Sequence, residues 1–259
     1  DLHSFPTRRS SDLWQKQVEE YVRSMYPDRR TDRLDMDTAK SRREITRILN
    51  SFSKGATDIL VGTQLVAKGL DFRNVGMVGV VSADTTLNIP DYRSAERTFQ
   101  LITQVAGRAG RGDERGRVVV QTFDPENPAI AAAVDYDYKQ FYDNEIAYRK
   151  MMGYPPFTDL ILAEFTSCDE KLALGAAERC GDYIKRLAIE TTGGTIYDPR
   201  ISERFIGQAS GAFRYHILIK SGKGYRNKYL HYISKFGENM IRNGRDLSYT
   251  VDVNPYGSF

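Results

Sequence analysis

Apolar residues along this chain recur in two rhythms, and each rhythm marks a kind of element. Val18, Tyr21, Val22 and Met25 fall at i, i+3, i+4 and i+7, which predicts a helix from Trp14 with one apolar face. Pro27 ends it. A short strand is predicted through Arg33, Leu34 and Asp35. Ser41, with Glu44 three residues on, reads as a capping box. It opens a helix whose apolar face is Ile45, Ile48, Leu49 and Phe52 and whose end is Gly55. Residues 58–62 and 75–81 read as buried strands, 93–106 as a helix and 118–120 as the centre of another strand. Strands alternating with helices imply a parallel α/β sheet.

The pattern changes after Phe123, where Asp124, Pro125 and Pro128 make a turn-rich boundary. Residues 129–151 read as helical, with Phe141, Ile146, Tyr148 and Met152 partly apolar, until Gly153, Pro155 and Pro156 break the chain again. Strands follow at 160–165, near 195–197, at 214–220 and at 248–253, with helices at 170–189 and 226–242. That β-α-β-β-α-β order predicts a small α+β domain. The expected division is a leader at 1–13, an α/β body at 14–124, a helical linker at 125–152 and an α+β domain at 153–259. The leader has no apolar core of a signal peptide and reads as non-native or disordered. The natural protein is expected to continue upstream of Trp14.

Composition narrows the class. The 259 residues are 41% hydrophobic and 27% charged, enough to bury a core and too balanced for wholesale disorder. No apolar run approaches the roughly 18 residues of a membrane span. Cys168 and Cys180 exclude a disulfide scaffold and a four-cysteine zinc site, and read as reduced thiols of the cytosol. The net charge of +3 is uneven: residues 200–259 hold ten Lys/Arg against four acids, a surplus of six. That basic end suits a polyanion or an acidic partner, or is simply a solvated surface. A G-x-x-x-x-G-K-[ST] phosphate loop occurs nowhere, and the glycines at 107–112 and 222–224 have the wrong spacing for one.

Two segments carry candidate chemistry. The first runs from Gln104 through Gly107, Arg108, Gly110 and Arg111 to Gly112. Gln104, Arg108 and Arg111 would share one face if the helix continued through them. Two guanidiniums at that spacing can clamp a triphosphate, and the glycines allow a close backbone approach. The second runs from Gly62 through Thr63, Gln64, Lys68, Gly69 and Asp71 to Phe72, directly after a buried strand. Ligands in open α/β sheets bind at such carboxyl ends. Thr63 and Gln64 offer a hydroxyl and an amide to a nucleic-acid backbone, and Asp71 can accept from a ribose hydroxyl.

Together these segments resemble motifs V and VI in the second motor lobe of superfamily 2 helicases. The fuller series is 33–38, 59–64, 67–72, 82–84, 87–91, 96–100 and the Gln104 segment, with Gly153–Phe157 and Asp252–Pro255 near the end. It is similar to the primosomal protein N′ family of bacterial replication-restart helicases. The resemblance covers roughly residues 14–259. It implies a partial RecA-like second lobe, a parallel sheet with flanking helices, followed by a small α+β C-terminal domain. It also implies an ATP-dependent 3′→5′ DNA helicase acting in restart and primosome assembly at stalled forks.

Carried over residue by residue, Arg108 and Arg111 match the arginines that reach the γ-phosphate, with Gln104 beside them. Gly69 and Asp71 match the nucleotide-contacting end of motif V. Thr63, Gln64 and Lys68 match its DNA-facing end, while Asp84 lies in the stretch between the motifs. The implied cofactors are ATP with Mg2+, and two zinc ions in the intact protein whose cysteine ligands have no counterpart here. The implied partners are forked and single-stranded DNA, single-stranded-DNA-binding protein and primosome proteins, with no membrane, in the bacterial cytoplasm at the nucleoid. The isolated chain is expected to be inactive, with a stand-alone nucleic-acid and partner-binding module as the alternative. A related helicase acting on RNA is a further alternative.

In the C-terminal domain, Phe213, Tyr215, Tyr225, Tyr229 and Tyr232 interleave with the basic residues. They suit base stacking if exposed, or a core, since Tyr229, Tyr232 and Ile233 fall at helical spacing. His216 and His231 read as packing or surface residues.

Overall fold

The computed structural model describes residues 8–34, 41–63, 75–107, 116–190, 200–202, 212–243 and 246–256. They form two compact units. One holds residues 1–87 and 95–138, the other 88–94 and 139–259. The unit boundary thus falls at 138/139, inside the stretch expected to be a linker, and a seven-residue strap from the first half of the chain belongs to the second unit.

The first unit begins with α1 (Arg8–Met25). This helix starts within the expected leader, so residues 8–13 are helical, and residues 1–7 lie outside the described residues. Its predicted apolar face is only partly covered: Tyr21 and Met25 are exposed, Val18 and Val22 half-buried. Polar contacts hold the helix to β1 (Thr31–Leu34): Arg23 donates to Thr31 O at 2.8 Å, and Glu19 pairs with Arg23 at 2.8 Å and Arg33 at 3.4 Å. Next, α2 (Arg42–Ser53) leads to β2 (Ile59–Gly62). Strands β1 and β2 pair in parallel, Thr31 opposite Ile59 and Leu34 opposite Gly62. Leu34 and Ile48 are buried together with Thr31 and Thr57, whose hydroxyl donates to Asp32.

A second parallel pair joins β3 (Met77–Val80) to β4 (Arg117–Val120). Between them lie α3 (Asp84–Leu87), a single turn, and α4 (Ser94–Ala106). Parallel pairs need such crossovers. Helix α4 buries Phe99, Ile102 and Val105. The expected single helix after Pro128 is two: α5 (Pro128–Val134), capped by the Asn127 side chain, and α6 (Tyr138–Met152). Tyr136, at φ 55°, makes the break.

The second unit contains β5 (Thr158–Ser167), α7 (Glu170–Glu190), β6 (Arg200–Ser202), β7 (Phe213–Gly222), α8 (Arg226–Asn243) and β8 (Leu247–Val253). The sheet is antiparallel in the order β6-β7-β5-β8. The described elements follow the predicted β-α-β-β-α-β order, with β6 at 200–202, and the strand expected near 195–197 lies outside the described residues. Alternation sends Ile161, Ala163, Phe165, Ile217 and Ile219 into one core with Ala176, Ala177, Cys180 and Ile184 of α7 and Tyr229 and Ile233 of α8. Helix α8 approaches β8 so closely at Gly237 that the Tyr249 ring fills the space a β-carbon would need.

Candidate nucleotide and nucleic-acid site

In the first unit the register of β1 and β2 aligns their carboxyl ends, Leu34 beside Gly62. The described starts of the two motif segments, Arg33–Leu34 and Gly62–Thr63, therefore lie at one edge of the pair, where α/β sheets bind ligands. Thr63, half-buried, is the last described residue there. Gln64, Lys68, Gly69 and Asp71 lie outside the described residues.

Helix α4 brings up the other segment. Its apolar residues Phe99, Ile102 and Val105 fix its roll, leaving Gln104 exposed. The helix closes at Ala106, where the Gly107 amide donates to Thr103 O at 3.0 Å. The expected shared face of Gln104, Arg108 and Arg111 depended on a continuing helix. Gln104 is on the described helix, and Arg108 and Arg111 lie outside the described residues.

Other motif residues are structural. Asp84 accepts from Thr122 Oγ1 at 2.9 Å and from the Phe123 amide at 3.2 Å, fastening α3 to the end of β4. Arg33 is committed to Glu19. Neither role is legible from spacing, because both partners are distant in sequence. A hollow of about 580 Å³ lies at the opposite, amino ends of β1 and β2, lined by Arg23, Arg29 and Arg30. Each of these arginines is paired with Glu19 or Asp58.

Of the five aromatics of the second unit that suited either stacking or a core, four belong to the core and Phe213 is half-buried. Tyr229 is buried, while Tyr215, Tyr225 and Tyr232 pack against the cluster. The sheet face away from the helices carries Leu162, Glu164 and Thr166 beside Leu218, His216 and Arg214. It carries no Phe, Tyr or Trp on these central strands and its imidazole, His216, is buried, so base stacking of the kind used by open four-stranded sheets has no platform there. The basic character instead sits on Lys223, Arg226, Lys228 and Lys235, all exposed along the start and outer side of α8.

The strap was missed by sequence reading. Asp91 Oδ1 accepts from the Arg93 amide at 2.9 Å, and the Ser94 hydroxyl donates to Asp91 O at 2.7 Å. The Arg93 guanidinium lies 4.6 Å from the Tyr92 ring centre and 4.7 Å from that of Tyr256, and donates to Pro255 O. Tyr92 stacks on Tyr154 at 5.7 Å. Lys220 sits 4.1 Å over Tyr154 and donates to Met152 O.

The cysteines do not fit zinc. Cys168 is exposed, and Cys180 is buried, its thiol pushed up to about 12 by loss of solvent. A thiol held protonated is a poor ligand. Among the described residues no cluster of His, Cys, Asp or Glu could hold a metal. No described helix is long and apolar enough to cross a membrane.

Two family models match the chain in succession: the helicase conserved C-terminal domain over residues 6–113 and the primosomal protein N C-terminal domain over residues 150–256. The replication restart protein PriA of Bacillus subtilis (strain 168) is 38% identical over 93% of the chain. The chain belongs to the PriA family. The PriA of Chlamydia pneumoniae is 34% identical over 94% of the chain, and that of Synechocystis 44% over 60%. The chain spans 29%, 32% and 19% of these three relatives, about a third of their length or less. The first unit is accordingly a RecA-like second lobe, and the PriA C-terminal domain is the antiparallel sheet with its two helices.

Proposed function

We propose that the chain supplies the second motor lobe and C-terminal domain of an ATP-dependent 3′→5′ DNA helicase acting in replication restart and primosome assembly at stalled forks. What carries this reading is the succession of the two family matches along one chain, with Gln104 exposed near the end of α4. In this reading Arg108 and Arg111, with Gln104, meet the γ-phosphate of ATP-Mg2+ bound by a preceding lobe and stabilise charge in the transition state. Such arginines are worth about 10³–10⁵ in rate. Gly69 and Asp71 border the nucleotide, and Thr63, Gln64 and Lys68 meet the DNA backbone. Zinc falls to residues preceding this chain. Forked and single-stranded DNA, single-stranded-DNA-binding protein and primosome proteins are the partners, in the bacterial cytoplasm.

The test is ATP turnover by a full-length family protein carrying this sequence. Arg108→Ala or Arg111→Ala lowers its DNA-stimulated rate about 10³-fold. Near-normal turnover in either variant removes the assignment, and stimulation by RNA in place of DNA moves the reading to an RNA helicase.

The missing phosphate loop favours a second reading for the 259 residues alone, a binding module without ATP turnover. Steady ATP hydrolysis by the purified chain would overturn it.

A further inference from the structure

Three stretches of the second unit, 88–94, 153–157 and 252–256, meet at one patch. Rings and cations follow one another there in a chain of contacts. The Lys220 ammonium lies 4.1 Å from the centre of the Tyr154 ring. Tyr154 stacks on Tyr92, with ring centres 5.7 Å apart and planes 25° from parallel. The Arg93 guanidinium lies 4.6 Å from the centre of Tyr92 and 4.7 Å from that of Tyr256. Tyr256 ends the chain: its ring rests on that guanidinium, yet the residue is 81% exposed.

The backbone that carries this last ring is anchored. Asn254, in the left-handed region at φ 51°, closes the ladder between β8 and β5. Its amide donates to Leu160 O at 2.7 Å, its Oδ1 accepts from the Leu160 amide at 2.8 Å, and its Nδ2 donates to Asp159 Oδ1 at 3.0 Å. Pro255 is buried and its carbonyl accepts from the Arg93 guanidinium. The fully buried Asp91 side chain accepts from the amide and Nε of Arg93 in turn. A ring placed in advance loses less freedom on binding a ligand. A cation against one face also draws π density from the other, so the outer face of Tyr256 suits an electron-rich planar group. A nucleobase brings such a plane together with a phosphate that cations attract. An aromatic side chain of a protein brings the plane without the charge.

We propose that Tyr256 is a stacking platform for one base of single-stranded DNA, backed by Arg93 and held by the Asn254–Pro255 turn. The choice of DNA rests on the functional reading above. The platform lies at the end of β8, not on the open face of the sheet, where no such ring is present on the central strands.

The experiment measures equilibrium binding of the 259-residue chain to oligo(dA) and to an abasic strand of the same length and charge. Stacking of a base on one aromatic side chain is worth about 5- to 150-fold in affinity. Tyr256→Ala should therefore weaken oligo(dA) binding about fivefold or more and leave abasic binding within about twofold. Tyr256→Phe keeps the ring and should bind oligo(dA) as the wild type does. The slope of log affinity against log salt should be the same in all three proteins, because a neutral ring releases no counterions.

Unchanged oligo(dA) affinity in Tyr256→Ala overturns the proposal and leaves the ring to an aromatic side chain of a protein partner. A loss shared equally by the abasic strand overturns it too, since it marks a structural defect and not lost stacking. So does a wild-type chain that binds both strands equally, or neither. ATP turnover by a full-length family protein tests the functional reading separately. If DNA does not stimulate that turnover, the functional reading fails, and the comparison of the two strands still decides the role of Tyr256.

Discussion

At the scale of single residues, the second unit shows how tightly one position can be set. Gly237 lies in α8 where the Tyr249 ring occupies the place of a β-carbon, and Tyr249 in turn stacks on Phe165 at 6.4 Å. Alanine would gain about 1 kcal/mol of helix propensity there. It would also push a ring bounded by the core, and such overpacking costs about 1–3 kcal/mol. The Gly237→Ala variant should be less stable by about 1 kcal/mol in urea unfolding, and Tyr249→Leu should relieve it. His216 gives a pH dependence. It is nearly buried opposite Glu164, and burial lowers its pKa below the ordinary value, with Glu164 opposing. The unfolded imidazole takes a proton near pH 6.5 while the folded one resists it. Stability contributed by the neutral ring is therefore full above that pH and is lost as pH falls below it. The urea midpoint should drop between about pH 7.5 and pH 5.5, and His216→Gln should flatten part of the fall. The motif residues were legible here by type. The jobs of Arg33, Asp84 and Arg93 were not, because each is defined by a partner far along the chain.

At the scale of elements, periodicity located most helices and strands, and the differences have local causes. Ser41 caps α2 as expected, its hydroxyl accepting from the Glu44 amide at 3.2 Å. The returning half of the box is replaced: Glu44 takes Arg47 at 2.7 Å instead. Ser41→Ala should cost about 1 kcal/mol, read as faster exchange of the α2 amides with the second unit unaffected. The helix after Pro128 splits at Tyr136 because a left-handed residue interrupts it, and no glycine or asparagine signalled the break. Strand β6 is short and lies at an edge, where three residues offer little periodicity to read. The roll of α4 followed from its apolar stripe, so the exposure of Gln104 was implicit in the sequence. The end of that helix at Ala106 falls where the sequence reading put it.

At the scale of the whole molecule, two units with separate cores account for a sequence whose charge is also divided. Exposed lysines and arginines of α8 belong to the second unit, and a polyanion bound there would release counterions. Single-stranded DNA binding by the 259-residue chain should weaken linearly on a log–log plot against salt, and Lys228→Ala with Lys235→Ala should reduce the slope by about 1.4. The α/β-then-α+β order was readable from composition and rhythm. The exchange of residues 88–94 between units was not, since contiguity in sequence gives no hint that a segment packs with a later domain. The two cysteines offer a last use of this division. Both lie in the second unit, one open to solvent and one sealed in its core with a thiol that hardly ionises. A maleimide pulse should thus mark one sulfur on the native chain and two once that unit opens. Counted by mass, the second label becomes a gauge of one domain's unfolding to which the motor lobe, having no thiol, contributes nothing.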